Sequence, residues 1–289
     1  MRALLVAAAL AGVTVTGCGG SSAPLTAGNP TVPTGLPVGP PLVTPGERMT
    51  YRVQIRGLEL AAMSLAVSDT VDQIAGKRAI IVQGHAWSVG LAKLISKVDD
   101  KFTSWIDVDT GRSLRFAVDE YQTNSDVNVE HTIADLASRA GNQLPITFAL
   151  NDGAVSPEPQ TLSMAEVWDY NAFLVALRSW EAPVGTTIAL EVLRSRYLWH
   201  IDLKVAAKTN LVTELDKFPA LRFDGYTYRL NRDGSRDAKA NPRRFSIWIS
   251  DDAGRVPLLL TARTDYGDIR MEIVDYFPGT GNSLRPPPP

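Results

Sequence analysis

The sequence has few of the residues and motifs from which metal sites and common active sites are built. Its single cysteine, Cys18, cannot form a disulfide within the chain. The three histidines, His85, His131 and His200, lie too far apart in sequence for a metal-binding motif such as H-x-x-x-H. G-x-S-x-G, G-x-G-x-x-G and phosphate-loop motifs are absent. We expect no metal, no cofactor and no recognisable catalytic residues, although residues brought together by folding could still form an active site.

An excess of charge of either sign is also missing. The chain has 29 Lys and Arg against 31 Asp and Glu, and the two signs are interspersed along it. A nucleic-acid-binding protein usually carries a basic stripe, and a protein that binds polycations carries an acidic block. Neither pattern is present, so nucleic acid is not expected as a partner.

Long hydrophobic runs are missing too, and the apolar run at the N-terminus has another explanation. The stretch "ALLVAAALAGVTV" follows Met1-Arg2 and is shorter than the roughly 20 residues that span a bilayer, but it suits a secretory signal. It leads into Val15-Thr16-Gly17-Cys18, which resembles the lipobox of bacterial lipoproteins. The resemblance implies a signal peptide over residues 1–17 and acyl chains on Cys18, which becomes the mature N-terminus and the membrane anchor.

The residue after Cys18 bears on the location of the protein. In the lipoprotein family, an aspartate at this position usually retains the protein at the inner membrane. Gly19 stands there instead. The resemblance thus implies an outer-membrane lipoprotein, and we expect it on the periplasmic face rather than on the cell surface.

Proline and glycine delimit the folded part of the chain. Residues 19–46 contain seven prolines, six glycines and no charged side chain, a composition that cannot build a packed core. We predict a disordered tether over residues 18–46, one β-rich domain over 47–277 and a disordered Pro-rich tail over 278–289.

Alternation of apolar and polar residues dominates the predicted domain. "MTYRVQI" (49–55) and "YLWHIDLKV" (197–205) each predict a strand with one buried face, the second with Tyr197 and Trp199 on that face. Hairpin turns are predicted at 109–111, 251–254 and near Gly267. Gly225 interrupts an alternating strand and predicts a bulge, and Pro257 predicts an edge or bulge position. Further strands are predicted at 79–84, 127–133, 187–192 and 221–230.

One long helix is predicted within "SMAEVWDYNAFLVALRSWEAP". Ser163 and Glu166 have the spacing of a reciprocal capping pair, and Pro183 ends the helix. A shorter helix is predicted at 90–95. The fold class is therefore mainly β, with a strongly curved or partly closed antiparallel sheet of meander hairpins and one long helix packed on its apolar face.

Several stretches resemble a family of bacterial envelope proteins known as domain of unknown function 3108. They are "PGERMTYRVQIRG", "DKFTSWIDVDTGRSLRF", the helical Leu177-Arg178, "YLWHIDLKV" and "WISDDAGRVPLLL". The resemblance extends over residues 45–276. It implies an exported β-rich protein, and it supplies no activity and no catalytic residues.

The most specific of these stretches contains Ser250, Asp251, Asp252 and Arg255. The serine and the two carboxylates could hold a cation or a ligand. We favour a structural turn, because Ser and Asp side chains bond nearby backbone amides in turns, and Arg255 would then pair with one carboxylate.

Four tryptophans are the remaining candidates for a binding site: Trp105, Trp168, Trp199 and Trp248. They could be ordinary core residues, or they could line an apolar pocket if the sheet leaves a cleft beneath the helix.

Three functions fit these observations. We favour a non-catalytic binding module for an apolar or amphipathic envelope molecule, which an open cavity under the helix would support. The first alternative is a structural or assembly partner of another envelope protein, supported by a filled core and a broad apolar surface patch. The second is an envelope-polymer-modifying enzyme of unrecognised type, supported by carboxylates or histidines that converge in a cleft.

Overall fold

The structure is a computed structural model that describes residues 35–95, 97–123, 127–264 and 267–285. The predicted signal peptide, Cys18 and residues 19–34 lie outside the described residues. The described chain forms the strands β1 (Arg48–Ile55), β2 (Leu58–Ile74), β3 (Lys77–Ser88), β4 (Asp99–Asp107), β5 (Ser113–Thr123), β6 (Val127–Asp135), β7 (Gln143–Leu144), β8 (Ile146–Leu150), β9 (Ser156–Pro157), β10 (Gln160–Thr161), β11 (Val167–Asp169), β12 (Thr187–Arg194), β13 (Tyr197–Val212), β14 (Lys217–Arg229), β15 (Arg243–Ser250), β16 (Pro257–Thr264) and β17 (Gly267–Phe277), with helices α1 (Ala92–Ile95) and α2 (Tyr170–Arg178).

Fifteen of these strands form one large sheet. Their order is β11-β12-β13-β14-β15-β16-β17-β1-β2-β3-β4-β5-β6-β8-β9, and β7 pairs separately with β10. Neighbouring strands run antiparallel except β11, which lies parallel to β12. The prediction of a mainly β protein built from antiparallel hairpins is confirmed. The two ends of the large sheet do not pair, so hydrogen bonds do not close it into a barrel.

The sheet curls so that one end lies under the other. The main hydrophobic core includes Leu190 and Ile201 of the β12–β13 hairpin together with the inward residues of β1–β3. Leu193 and Leu198 of the same hairpin belong to a second core with Phe102 and other inward residues of β4–β6. Near its turn, both faces of this hairpin are therefore buried, because this part lies between the main core and the strands at the opposite end of the sheet.

This double burial corrects the predicted face of "YLWHIDLKV". Tyr197 was expected on the buried face, yet it is 37% exposed at the hairpin turn, whereas Leu198 on the opposite face is fully buried. Ile201, Leu203 and Val205 are buried as predicted. Predicting burial from alternation assumes that one face of the strand is exposed to solvent. That assumption fails where the sheet curls and both faces are covered.

The long helix is shorter than predicted and begins later. It starts at Tyr170 with Asp169 as N-cap, whose carboxylate accepts a hydrogen bond from the Ala172 amide at 2.9 Å. Val167–Asp169 instead form strand β11. Ser163 is not a cap, because its hydroxyl and amide bind the buried carboxylate of Glu191. Every residue from 171 to 178 is buried, and the apolar ones belong mainly to the main core.

The predicted bulge at Gly225 is wrong. Burial alternates without a break through Phe223, Gly225 and Thr227, and the register shift lies in the neighbouring strand between Val205 and Ala207. A Cβ at Gly225 would lie 2.1 Å from the Phe245 ring. The glycine is needed here because the aromatic ring on the next strand occupies the space of a side chain.

Pro257 occupies a bulge rather than a sheet edge. Strand β16, which it begins, pairs with β15 on one side and β17 on the other. The register shifts between Trp248 and Ile249, opposite Pro257. Of the two positions predicted for this proline, the bulge is confirmed.

Parts of the two segments that were predicted to be disordered pack on the domain. Leu36, Leu42 and Val43 are buried. The Leu284 amide donates to the Val43 carbonyl at 2.9 Å, so the two terminal segments lie side by side. A few leucine and valine side chains among the prolines are enough for this packing, which the overall composition of residues 19–46 did not predict.

Candidate binding groove on the outer face of the sheet

The Ser250–Asp252 segment has the geometry of a turn. The Asp252 carboxylate accepts hydrogen bonds from the Gly254 amide at 2.9 Å, the Arg255 amide at 3.0 Å and the Ser250 hydroxyl at 2.8 Å. The Ser250 hydroxyl in turn accepts from the Val256 amide at 2.7 Å. These bonds use the side chains to close the β15–β16 hairpin.

Asp251 and Arg255 have different surroundings from Asp252. Asp251 lies at the surface and pairs with Lys208 at 2.8 Å, and its distance to the Arg255 guanidinium is 3.8 Å. Arg255 is buried and donates to the backbone carbonyls of Arg178 and Trp180. Its guanidinium is therefore engaged in holding the end of α2 rather than presented to a ligand.

A buried ion pair that the sequence reasoning missed lies beside this turn. Glu47 and Arg178 form two hydrogen bonds of 2.7 and 2.9 Å, and both side chains are almost fully buried. The Tyr276 hydroxyl also donates to Glu47, at 3.0 Å. Burial and the adjacent Glu47 carboxylate raise the pKa of Tyr276. Glu47 and Arg178 both fall in stretches that resemble the family, and this was the available signal.

The four candidate tryptophans do not share a cavity. Trp168 is buried beside α2 with Arg112 over its ring at 4.3 Å, and it borders a cavity of about 450 Å³ near Gly35. Trp105 lies on β4, Trp199 on β13 and Trp248 on β15, each partly exposed. The structure therefore does not bring the predicted set together.

The interior beneath α2 is filled. The internal void bordered by Tyr51, Met63 and Leu174 measures about 10 Å³, the space of a single water molecule. An amphipathic molecule does not fit there. Tyr51, Met63 and Leu174 belong to the main core, and the void is too small for an acyl chain.

Buried polar groups near the helix do not form an accessible catalytic cluster. Burial raises the pKa of Asp169, whose carboxylate accepts from Ser104 at 2.8 Å and caps the helix. The Asn171 side-chain amide donates to the backbone carbonyls of Val82 and Phe102. All these polar side chains are closed off from solvent, so they position α2 against β3 and β4.

The histidines lie apart, each beside an aspartate on its own part of the sheet. His85 contacts Asp99 at 2.8 Å, and His131 contacts Asp119 at 2.7 Å. His200 lies 3.3 Å from Asp202. Over the described ranges, no three histidine, cysteine or acidic side chains are grouped so as to hold a metal ion. The described helices also include none that is both long and apolar enough to cross a bilayer.

A groove of about 1010 Å³ lies across strands β12–β17 on the outer face of the sheet. Its floor is a row of residues paired across neighbouring strands, including Leu203, Gly225 and Phe245. Outward-facing residues on either side of this row form its walls, because they alternate with the buried ones along each strand. The charged wall residues are Asp202, Lys204, Arg222, Asp224, Arg244, Arg263, Asp268 and Arg270.

The groove has five basic and three acidic side chains, so its charge is net positive. Arg222 pairs with Asp224 at 3.2 Å, and Arg270 pairs with a glutamate outside the groove. Lys204, Arg244 and Arg263 are exposed, and none forms an ion pair with a described carboxylate. Sequence reasoning missed this site because its residues come from six strands and form no motif.

Comparison of the chain with known proteins identifies a solved structure of similar fold and a matching sequence family. A crystal structure of a β-barrel-like protein of domain of unknown function DUF1849 from Brucella abortus superimposes with a TM-score of 0.52 at 8% identity, covering 82% of this chain and 98% of that chain. A candidate lipoprotein from Parabacteroides distasonis gives a TM-score of 0.35 at 7% identity, covering 83% of this chain and 99% of that chain, a likeness too low to carry an argument. No curated protein matches the chain.

The family match covers most of the described domain. The model of the family described as "Protein of unknown function (DUF3108)" matches residues 50–274, which is well over half of the chain. This interval includes four of the five stretches that carried the resemblance in full and the fifth from residue 50 onward. It also includes the groove, α2 and the turn at Asp252. The chain therefore belongs to the DUF3108 family of proteins of unknown function.

Proposed function

We propose that the chain is a non-catalytic envelope lipoprotein whose outer groove binds the anionic head of an amphipathic envelope molecule. The signal-like N-terminus and the lipobox-like sequence support cleavage after residue 17, lipidation of Cys18 and anchoring in the outer membrane. Gly19 supports the outer rather than the inner membrane, with the domain on the periplasmic face.

The observation that carries this proposal is the unpaired basic charge of the groove. Lys204 of β13, Arg244 of β15 and Arg263 of β16 line one open cleft and are exposed, and none forms an ion pair with a described carboxylate. Guanidinium and ammonium groups bind phosphate and carboxylate oxygens, and Arg can do so with two hydrogen bonds. Because the interior is filled, the apolar part of such a ligand would remain outside the protein, in the membrane.

The two alternative functions have less support. The exposed large apolar side chains are spread along the chain from Val38 to Phe277, and they include Leu58, Val212 and Leu215. Large contiguous apolar patches mark interaction sites, and this spread gives no specific support for an assembly partner. The buried carboxyl of Asp169 is closed off, and the His–Asp pairs lie apart, so the described residues do not favour an enzyme.

The test measures binding of the Cys18→Ser chain to vesicles. We expect co-sedimentation with vesicles of phosphatidylcholine that contain anionic phosphatidylglycerol and none with phosphatidylcholine alone. Replacing Lys204, Arg244 and Arg263 with Gln should weaken binding at least tenfold, a loss of about 1.4 kcal/mol. A matched control replaces Lys101, Lys217 and Lys239, which are exposed outside the groove, with Gln. Equal losses in both triple variants, or binding to neutral vesicles, would refute the proposal.

A further inference from the structure

Three carboxylates lie side by side where the two unpaired ends of the sheet meet. In the strand register, Glu120 of β5 is directly opposite Glu130 of β6. The register of β4 with β5 places Asp100 opposite Glu120 on the other side. Asp100 lies two residues before the buried Phe102, and Glu120 lies two residues after the buried Val118, so both face the inside of the curled sheet. Glu130 is directly opposite Glu120 and lies on the same face. Asp100 and Glu120 are buried.

Arginines from the opposite end of the sheet face this row. Arg194 ends β12, and Arg196 lies in the turn between β12 and β13. Arg194 lies 3.6 Å from Glu120, and Arg196 lies 3.7 Å from Glu130. Arg196 also pairs at 3.1 Å with Glu158, which Arg232 contacts as well. These contacts bridge strands that share no backbone hydrogen bonds.

Among the described side chains of this group, carboxylates outnumber guanidinium groups. Four carboxylates, those of Asp100, Glu120, Glu130 and Glu158, face the guanidinium groups of Arg194, Arg196 and Arg232. Asp100 is the carboxylate that forms no ion pair among the described residues, and its hydrogen bond comes from the Tyr121 amide at 2.9 Å. An ionised Asp100 would therefore be a buried charge without a countercharge of its own.

We propose that these seven side chains form a clasp that holds the two ends of the sheet together, and that ionisation of Asp100 releases it. The clasp joins hairpin β12–β13 to strands β4–β6. When it opens, Leu193, Leu198 and Phe102 of the second core become accessible. The clasp thus couples the protonation of one carboxyl to exposure of an apolar surface, and it does not depend on what binds in the groove.

The direction of the pH effect follows from the surroundings of Asp100. Burial, then the neighbouring Glu120 and to a smaller degree Asp99, raise the pKa of Asp100 to about 7, while the Tyr121 amide and Arg194 act in the opposite direction. In the open state the carboxyl is solvated and its pKa returns toward 3.8. The closed state therefore binds the proton more tightly, so the closing equilibrium weakens as pH rises and levels off above about pH 7.

Hydrogen exchange of the full chain in detergent, corrected for the intrinsic exchange rate at each pH, tests this inference. The reporters are the Tyr121 amide and the amides of the β12–β13 turn. We expect their protection to fall about a hundredfold between pH 5 and pH 8, since one proton gives at most a tenfold change per pH unit. Asp100→Asn, which stays neutral, should keep high protection at every pH, whereas Arg194→Gln should lower protection at every pH.

The matched control is Asp119→Asn, one residue before Glu120 on the outward face, where the carboxylate contacts His131. It should keep the pH dependence of the parent. The inference is overturned if the parent shows no pH dependence, if Asp100→Asn retains it, or if Asp119→Asn loses it to the same extent. Vesicle binding by the groove is a separate measurement, so failure of one proposal can be distinguished from failure of the other.

Discussion

Arg178 and Arg255 exchange hydrogen bonds between their side chains and backbones. The Arg178 Nε donates to the Arg255 carbonyl at 3.2 Å, and the Arg255 Nε donates to the Arg178 carbonyl at 3.0 Å. Arg178 ends α2, and Arg255 follows the turn between β15 and β16. Glu47 supplies the countercharge for Arg178, so the start of the domain, the end of the helix and the turn are joined in one buried network.

Loss of Glu47 should therefore be strongly destabilising. Glu47→Gln leaves Arg178 buried without a countercharge, and breaking a buried pair in this way costs about 3–5 kcal/mol. The free energy of unfolding in urea is the measurement. Glu59→Gln, which removes the exposed partner of Arg52, is the control and should cost less than about 1 kcal/mol. Similar small losses in both variants would show that Arg178 finds another partner.

The two aspartates of the turn should differ in their effect on stability. Asp252→Ala removes the acceptor of two backbone amides and the Ser250 hydroxyl and should cost about 1–3 kcal/mol. Asp251→Ala removes a surface pair with Lys208 and should cost less than about 1 kcal/mol. Thermal unfolding with calcium and with a chelator should give the same melting temperature for each protein. A calcium-dependent rise in the parent would contradict the structural role of this turn.

Gly225 should not tolerate a side chain. Gly225→Ala places a methyl group into the Phe245 ring, and overpacking of this kind costs about 1–3 kcal/mol. Phe245→Leu leaves room for the methyl group, so the double variant should be more stable than the sum of the two single losses predicts. Unfolding free energies of the four proteins measure this coupling, and strict additivity would show that the ring moves aside freely.

Changes near the N-terminus should show that residues 19–34 and the packed segment from Gly35 contribute differently to stability. Removing residues 19–34 should leave the unfolding free energy unchanged, whereas Leu36→Ala should lower it by about 2–5 kcal/mol, because Leu36 belongs to the main core. Val38→Ala, at an exposed position in the same segment, is the control. Equal stability of the Leu36 and Val38 variants would show that the segment does not pack as described.

Lipidation should determine where the protein is found. Cys18→Ser removes the thiol on which acyl chains would be attached and should move the protein from the membrane to the soluble fraction. Fractionation of cells at high salt measures this distribution. Continued full membrane association of the variant would mean that another part of the chain anchors it.

The strands of this protein could be predicted from its sequence because alternation is a local property. Met49, Tyr51, Val53 and Ile55 are all buried, as their spacing indicates. The start of α2 could not be predicted from the Ser163–Glu166 spacing, because distant residues compete for those side chains. Ser163 binds Glu191, and Glu166 pairs with Arg112. A local capping pattern does not predict a helix start when its side chains bind distant residues instead of the backbone amides of the first turn.

The fold class, the antiparallel hairpins, the family and the predicted anchor at Cys18 can be derived from the sequence, because they depend on short stretches and on composition. The positions at which carboxylates and arginines meet depend on the three-dimensional fold. Glu47 and Arg178 are far apart in the chain, as are Glu120 and Arg194, and the basic groove takes its walls from six strands. Curling of the sheet brings these residues together, and that geometry depends on long-range packing rather than on any local pattern.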